Sequence, residues 1–99
     1  MSIKITGYPF DGPYSLTSSL EKRSGVYAVL CAGSSTTLLD IGESGDVRDR
    51  VENHDRKPCW KRNCSSTIKY AAYYISGEKE RKKIEQAIRK HYKVPCGKE

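Results

Sequence analysis

The sequence predicts a single α/β domain of the α+β type, with a three-stranded, largely antiparallel sheet flanked by helices. Two apolar runs with many β-branched residues are joined by a short turn, and a third such run, rich in tyrosine, lies near residue 70. Two other stretches repeat apolar residues at the spacing of a helix. Ninety-nine residues suffice for one hydrophobic core. We therefore treat residues 1–99 as one domain.

The first half of the chain predicts a lead-in segment followed by a hairpin. Alternating Ile3 and Ile5 favour a short strand, and a helical turn is expected near residues 16–21. Residues 25–33, GVYAVLCAG, have the length and glycine bracketing of a buried strand. A turn at residues 33–35 leads into a second strand over residues 36–43, which predicts an antiparallel pair.

The second half predicts two helices separated by a loop and a strand. The first helix covers residues 46–54, with Ser44 or Asp46 as its cap. Residues 56–66, RKPCWKRNCSS, have the composition of a loop, and residues 67–76 that of a third strand. The second helix covers residues 78–92, before Pro95 and Gly97. Its apolar face is predicted to consist of Ile84, Ala87, Ile88 and Tyr92.

Charge and hydropathy narrow the classes of partner and location. A formal net charge of +6 and a pI near 9.2 favour an anionic partner, of which nucleic acid is the leading candidate. No apolar run has the length of a membrane span, and the first residues lack the pattern of a secretory signal. We expect a cytoplasmic protein with no membrane partner.

The four cysteines are expected to be reduced thiols in that compartment. Four residues separate Cys59 from Cys64, and four separate His91 from Cys96. These two pairs form a conceivable set of four zinc ligands. Free thiols with a surface histidine are the favoured interpretation, and a zinc-stabilised interaction domain is an alternative.

The predicted helix over residues 46–54 carries an unusual inward stripe. Val47, Arg50, Val51 and His54 occupy one face at helical spacing. Two valines are ordinary core residues, but a buried guanidinium needs a partner and is often retained for a site. Pairing of Arg50 and His54 with acidic neighbours on a solvated flank is the alternative.

The ordered motifs resemble those of the GIY-YIG nucleases. The first motif reads Gly25-Val26-Tyr27, and the second reads Asp40-Ile41-Gly42, with aspartate where the family usually has tyrosine. Arg50 and His54 match the arginine and histidine of the family's catalytic helix, and Glu85 matches its metal-binding glutamate. The resemblance covers residues 25–97 and implies a GIY-YIG-like fold.

That resemblance implies an endonuclease that hydrolyses DNA phosphodiester bonds with one Mg²⁺ or Mn²⁺ ion. Glu85 would bind the metal, since such ions prefer oxygen ligands and retain water. A surface ion pair between Glu85 and Arg89, four residues later, is the alternative. Arg50 would stabilise the charge of the pentacoordinate transition state. Tyr27 would take a proton from the attacking water, and His54 would assist it or hold Tyr27 or a phosphate in place. DNA is the expected partner, with RNA left open and a further protein partner invoked for targeting.

Asp40 is the main departure from the family pattern. It lacks the phenol of the usual tyrosine, and its carboxylate would repel a phosphate unless it helped to bind the metal. Asp40 is therefore a further candidate catalytic residue. It also motivates an alternative function, a catalytically impaired nucleic-acid-binding module. The asparagine that often follows the family's last helix is absent, with Cys96 and Gly97 in that neighbourhood.

The predicted loop after the first helix contributes candidate nucleic-acid contacts. They are its basic residues and its tryptophan: Arg56, Lys57, Trp60, Lys61 and Arg62. The indole of Trp60 could stack on a base, although packing in the core is favoured because a lone tryptophan is usually buried. A second basic run, at Lys79, Arg81, Lys82 and Lys83, is interpreted as the solvated face of the last helix.

Overall fold

The computed structural model describes residues 2–97, which form an α+β fold around one antiparallel sheet. Within these residues the sheet has five strands, in the order β1-β2-β5-β3-β4. The prediction of a three-stranded sheet is therefore wrong in the number of strands. The strands are β1 (Ser2–Ile5), β2 (Tyr8–Tyr14), β3 (Gly25–Ala32), β4 (Thr36–Ser44) and β5 (Thr67–Tyr74). All neighbouring strands are antiparallel, and β4 is an outer strand.

Strand β2 was not predicted because its sequence, YPFDGPY, contains three residues that usually interrupt strands. The pairing of β2 with β5 is irregular between Asp11 and Tyr14, and Gly12 has a φ of 122° in that interval. A β-bulge leaves residues out of the ladder. The irregular interval accommodates Gly12 and Pro13 in a strand that lies between two others.

Within the described residues, three α-helices and one 3₁₀ turn complete the fold. They are a 3₁₀ turn (Thr17–Ser19), α1 (Val47–Glu52), α2 (Lys57–Arg62) and α3 (Glu78–His91). The Asp46 carboxylate caps α1 by accepting the Asp49 amide at 3.0 Å, as predicted. The prediction of a loop across residues 56–66 is wrong in its first half. Pro58 lies in the first turn of α2, where no intrahelical amide hydrogen bond is required.

The sheet divides the core into two layers, with α1 and α2 on one face and α3 on the other. On the α1/α2 face, side chains from β3 and β4 pack against these two helices; the main members are Tyr27, Val29, Leu39, Val47, Val51 and Trp60. On the α3 face, the main members are Val26, Ala28, Ile41, Ile84 and Ile88. Strand β4 contributes to both layers.

Helix α3 buries a narrower apolar face than the sequence predicted. Ile84 and Ile88 are buried, but Ala87 and Tyr92 are exposed. Arg81, expected on the solvated face, is buried because it pairs with Glu43 at 2.9 Å and donates to the Ser76 carbonyl. No helix within residues 2–97 is long and apolar enough to cross a membrane.

The four cysteines form two disulfides, Cys31–Cys64 and Cys59–Cys96, so the expectation of reduced thiols is wrong for this structure. The first joins β3 to the residues that follow α2. The second joins α2 to the segment that follows α3. The pairings separate the four proposed zinc ligands, since Cys59 is bonded to Cys96 and Cys64 to Cys31.

Candidate functional site

The centre of the candidate site is Tyr27, which lies on the α1/α2 face opposite Gly42 of β4. A Cβ atom at position 42 would overlap the Tyr27 hydroxyl group and would lie 2.9 Å from its Cε2 atom. Only glycine therefore lets the phenol ring extend across β4. The register of β3 and β4 places Gly42 opposite Tyr27, and a larger residue at position 42 would displace the phenol ring.

His54, just beyond α1, holds the Tyr27 hydroxyl group. Its Nε2 atom lies 2.8 Å from the Tyr27 oxygen, and its Nδ1 atom accepts the backbone N–H of Arg56 at 3.1 Å. A neutral imidazole that accepts at Nδ1 carries its proton on Nε2. His54 therefore donates to the Tyr27 oxygen. Asp55 lies 3.3 Å from Nδ1, but this is an ion pair only when the ring is protonated.

The surroundings favour the uncharged forms of both side chains. Burial lowers the pKa of His54 to about 4, helped by the charges of Arg50 and Arg56 and opposed by Asp40 and Asp55. Burial also raises the pKa of the Tyr27 phenol, and Asp40 raises it further, whereas Arg50 and Arg56 lower it. At neutral pH the pair is therefore a neutral imidazole and a protonated phenol.

Stability should fall when the pH is lowered from about 6.5 to about 4. Over this range the unfolded chain binds a proton at His54, with its ordinary pKa of 6.5, while the folded chain does not. The lost free energy of unfolding should be roughly 2–3 kcal/mol. Urea unfolding at a series of pH values measures it. His54→Gln should remove this part of the pH dependence, whereas His91→Gln, at an exposed position, should leave it unchanged. If the free energy of unfolding changed equally with pH in both variants, its pH dependence would not come from His54.

Arg50 is the accessible member of the cluster. Its side chain is 41% exposed and lies 3.6 Å from Asp55, which is itself mostly exposed. The positive charge of Arg50 favours the phenolate form of Tyr27 and so acts to lower its pKa. Of the predicted stripe, Val47 and Val51 are buried in the core, His54 is buried against Tyr27, and Arg50 reaches the surface.

Asp40 is fully buried on the same face of the sheet, beside a register shift between β3 and β4. Its Oδ2 atom accepts hydrogen bonds from Arg56 Nε at 2.9 Å and from Trp60 Nε1 at 2.8 Å. Its Oδ1 atom accepts the Ile41 amide at 2.8 Å and lies 3.6 Å from Arg89 Nη2. The expected repulsion of phosphate is therefore offset by two guanidinium groups, and these contacts give Asp40 a role in organising its neighbours.

Glu85 lies on α3 and forms an ion pair with Arg89, with Oε2 and Nε 3.0 Å apart. Arg89 also donates to the Ile41 carbonyl group of β4. The side chain of Glu85 is 18% exposed. Within residues 2–97, no three His, Cys, Asp or Glu side chains cluster as a ready-made metal site. Any divalent ion at Glu85 would therefore rely largely on water and substrate oxygens.

The predicted nucleic-acid contacts of residues 56–62 have different environments. Arg56 is bound to Asp40, and Lys57 donates to the Glu52 carbonyl group at 2.6 Å. Lys61 and Arg62 are exposed at the end of α2. Trp60 is 1% exposed, so its indole packs in the core and is not available to stack on a base. The solvent-facing part of this set is thus Lys61 and Arg62.

The partners of Asp40 were not identified from the sequence. A buried carboxylate requires compensating donors, and an aspartate inside an apolar strand signals that such donors must exist. The sequence does not say that they come from α2 and α3. No family model, curated protein or solved structure matches the chain.

Proposed function

We propose that the chain is a divalent-metal-dependent endonuclease that hydrolyses DNA phosphodiester bonds. The observation that carries this proposal is the cluster of Tyr27, His54 and Arg50, in which a buried phenol and imidazole are 2.8 Å apart beside a solvent-accessible guanidinium group. A proton-transfer group next to a fixed positive charge is what hydrolysis of a phosphodiester requires.

Arg50 provides the contact for the scissile phosphate. Its planar guanidinium group matches the geometry of phosphate oxygens. Because its charge acts on Tyr27 and its side chain is partly exposed, it can bind a phosphate close to the phenol. The extra negative charge of the transition state strengthens this contact, which lowers the barrier.

Tyr27 and His54 handle the proton of the attacking water. The Nε2–H group of His54 donates to the phenol oxygen, which leaves the hydroxyl proton of Tyr27 directed elsewhere. A hydrogen bond donated to that oxygen stabilises the phenolate. In this arrangement His54 supports the base form of Tyr27 and remains neutral itself.

Glu85 would supply one carboxylate ligand to a magnesium or manganese ion. Mg²⁺ commonly binds one or two carboxylates, several waters and substrate phosphate oxygens. Arg89 shares the Glu85 carboxylate, and its positive charge opposes a cation there, so the ion would have to displace or share this ion pair. When bound, the ion would supply stabilisation of negative charge on the phosphate and leaving oxygens.

DNA is the proposed substrate because of the overall charge and the exposed basic residues of α2. The chain has a formal net charge of +6, and Lys61 and Arg62 are exposed on α2. Contacts of this type neutralise backbone phosphates without reading the sequence.

A second candidate function is a nucleic-acid-binding module that does not cleave. Two observations favour it. Tyr27 is 1% exposed, so water reaches its hydroxyl group only if a neighbour moves, and the Glu85 carboxylate is already paired with Arg89. In this alternative, Arg50 binds phosphate and the buried pair is structural.

Incubation with duplex, branched and single-stranded DNA, with and without Mg²⁺, tests the proposal. We expect cleavage that requires the metal and falls about 100-fold or more in Glu85→Gln, because loss of the ion removes several kcal/mol of charge stabilisation. Glu80→Gln, at an exposed position of the same helix, is the matched control and should cleave normally. DNA binding without cleavage would favour the module, and cleavage unaffected by Glu85→Gln would exclude the proposed metal site.

A further inference from the structure

We propose that Asp40 is a positioning residue that fixes two halves of the site, at His54 and at Glu85, through Arg56 and Arg89. This inference rests on the proposed nuclease function and assigns a role to the aspartate that departs from the family motif. It follows from a continuous series of contacts. Tyr27 contacts His54, His54 contacts the amide of Arg56, and the Arg56 guanidinium group contacts Asp40; Asp40 then approaches Arg89, which pairs with Glu85.

The half that contains His54 depends on Arg56. The backbone N–H of this residue bonds His54 Nδ1, and its side chain bonds Asp40 at 2.9 Å and, through Nη2, at 3.4 Å. Because the side chain is clamped to β4, its own backbone is held against the imidazole. The clamp therefore favours the tautomer in which Nε2–H faces Tyr27.

The half that contains Glu85 depends on Arg89. Its Nη2 atom is directed at Asp40 and the Ile41 carbonyl group, and its Nε atom is bonded to Glu85. A planar guanidinium group with two of its edges occupied has a defined orientation. Asp40 thereby sets where the Glu85 carboxylate lies relative to β4.

The site of Asp40 is closed to solvent. A Cβ atom at Gly97 would overlap Asp40 Oδ1 and would lie 2.9 Å from Arg89 Nη2 and 3.0 Å from Arg56 Nε. The backbone of Gly97 thus covers the carboxylate where the two arginines meet. Interactions between charges are stronger when water is excluded, so this closure strengthens the positioning.

The ion pair between Glu43 and Arg81 is a matched comparison for the contacts of Asp40. Glu43 is also on β4, and it forms a 2.9 Å ion pair with Arg81 of α3 whose two side chains are similarly shielded from solvent. The Arg81 side chain also donates to the Ser76 carbonyl group. Among the contacts of the described residues, none joins this pair to Tyr27 or His54.

The test compares Asp40→Asn with Glu43→Gln. The readouts are the ¹⁵N resonances of the His54 ring, the affinity for Mn²⁺ alone measured by electron paramagnetic resonance, and kcat and KM for DNA cleavage. Asp40→Asn should shift the His54 resonances towards a mixture of tautomers. It should also weaken Mn²⁺ binding about tenfold, because Asp40 acts on Glu85 through Arg89 and the direct partners of a metal ligand typically matter by 10–100-fold. It should lower kcat about tenfold or more with little change in KM, as expected for lost positioning. Glu43→Gln should leave all three readouts near their original values.

Equal effects of the two substitutions on the His54 resonances and on Mn²⁺ affinity would overturn the inference. If Asp40→Asn does not fold, Arg89→Lys provides the test, since it keeps the charge but loses the planar fork; unchanged Mn²⁺ affinity in that variant would also overturn it. The two proposals fail separately. A wild-type protein that cleaves no DNA refutes the nuclease, whereas the resonances and the Mn²⁺ affinity still report whether Asp40 positions His54 and Glu85.

Discussion

Replacing Tyr27 with phenylalanine is expected to reduce kcat for DNA cleavage by about 100- to 10,000-fold, the range typical of a lost acid–base group. The ring is retained, so packing across Gly42 should survive. The loss of stability should be about 1–3 kcal/mol, because the buried Nε2–H group of His54 loses its acceptor. Steady-state kinetics and urea unfolding measure the two effects.

The pH dependence gives an independent check on this role. Because the pKa of Tyr27 is raised above its ordinary value of 10.0, the phenolate fraction and hence the cleavage rate should increase from pH 7 to pH 9. Tyr27→Phe should lose this increase. Tyr70→Phe is the matched control, since Tyr70 is a half-buried tyrosine on the same face of the sheet whose pKa is raised by burial. Similar kinetic losses in both variants would argue that Tyr27 has no special role.

Removing either disulfide is expected to lower the free energy of unfolding by about 3–4 kcal/mol, from the loop-closure entropy of separations of 33 and 37 residues. A small domain has a total stability of about 5–15 kcal/mol, so loss of both bonds should leave it marginal or unfolded. The double variants Cys31→Ser/Cys64→Ser and Cys59→Ser/Cys96→Ser, compared by urea unfolding, measure the separate contributions.

Titration with a dithiol reductant and counting of free thiols provide the control for that experiment. Native protein should show no reactive thiol before reduction and four after it, and its unfolding midpoint should fall in parallel. The serine variants should respond only through the bond that they retain. An unfolding midpoint that does not change on reduction would contradict the assigned stabilisation.

The elements that were predicted correctly have local signals. Strands β3, β4 and β5 are runs of β-branched, aromatic or other apolar residues, and α3 repeats Ile84 and Ile88 at helical spacing. Each of these patterns reflects the burial of a face by the element itself, so it can be seen without knowing the neighbours. The cap of α1 at Asp46 is equally local.

The features that were missed depend on contacts distant in the sequence. Strand β2 is stabilised by pairing with β1 and β5, which overrides the breaking tendency of its prolines. Helix α2 buries little besides Trp60, so its periodicity is too weak to detect. Four cysteines permit three pairings, and only the fold selects one.

In the candidate site, too, some features have a local sequence signal and others depend on contacts distant in the sequence. Motif and spacing single out Tyr27, Arg50 and His54; in the structure the Tyr27 and His54 side chains are 2.8 Å apart, and the charge of Arg50 acts on both. The partners of Asp40 could not be anticipated, because they depend on how α2 and α3 approach β4. A charge that would be costly in isolation is accommodated by residues from two other elements.

The segment around Cys96 covers part of the outer strand β4, which limits the pairing of that strand with other copies of the protein. The amide of Cys96 donates to the Leu39 carbonyl group at 3.0 Å, so this short segment occupies part of the outer strand's free hydrogen-bonding edge. Uncovered edges recruit strands from other molecules. Because the Cys59–Cys96 bond ties this segment to α2, we expect its loss to free the segment and to leave that part of the β4 edge open to strands of other molecules.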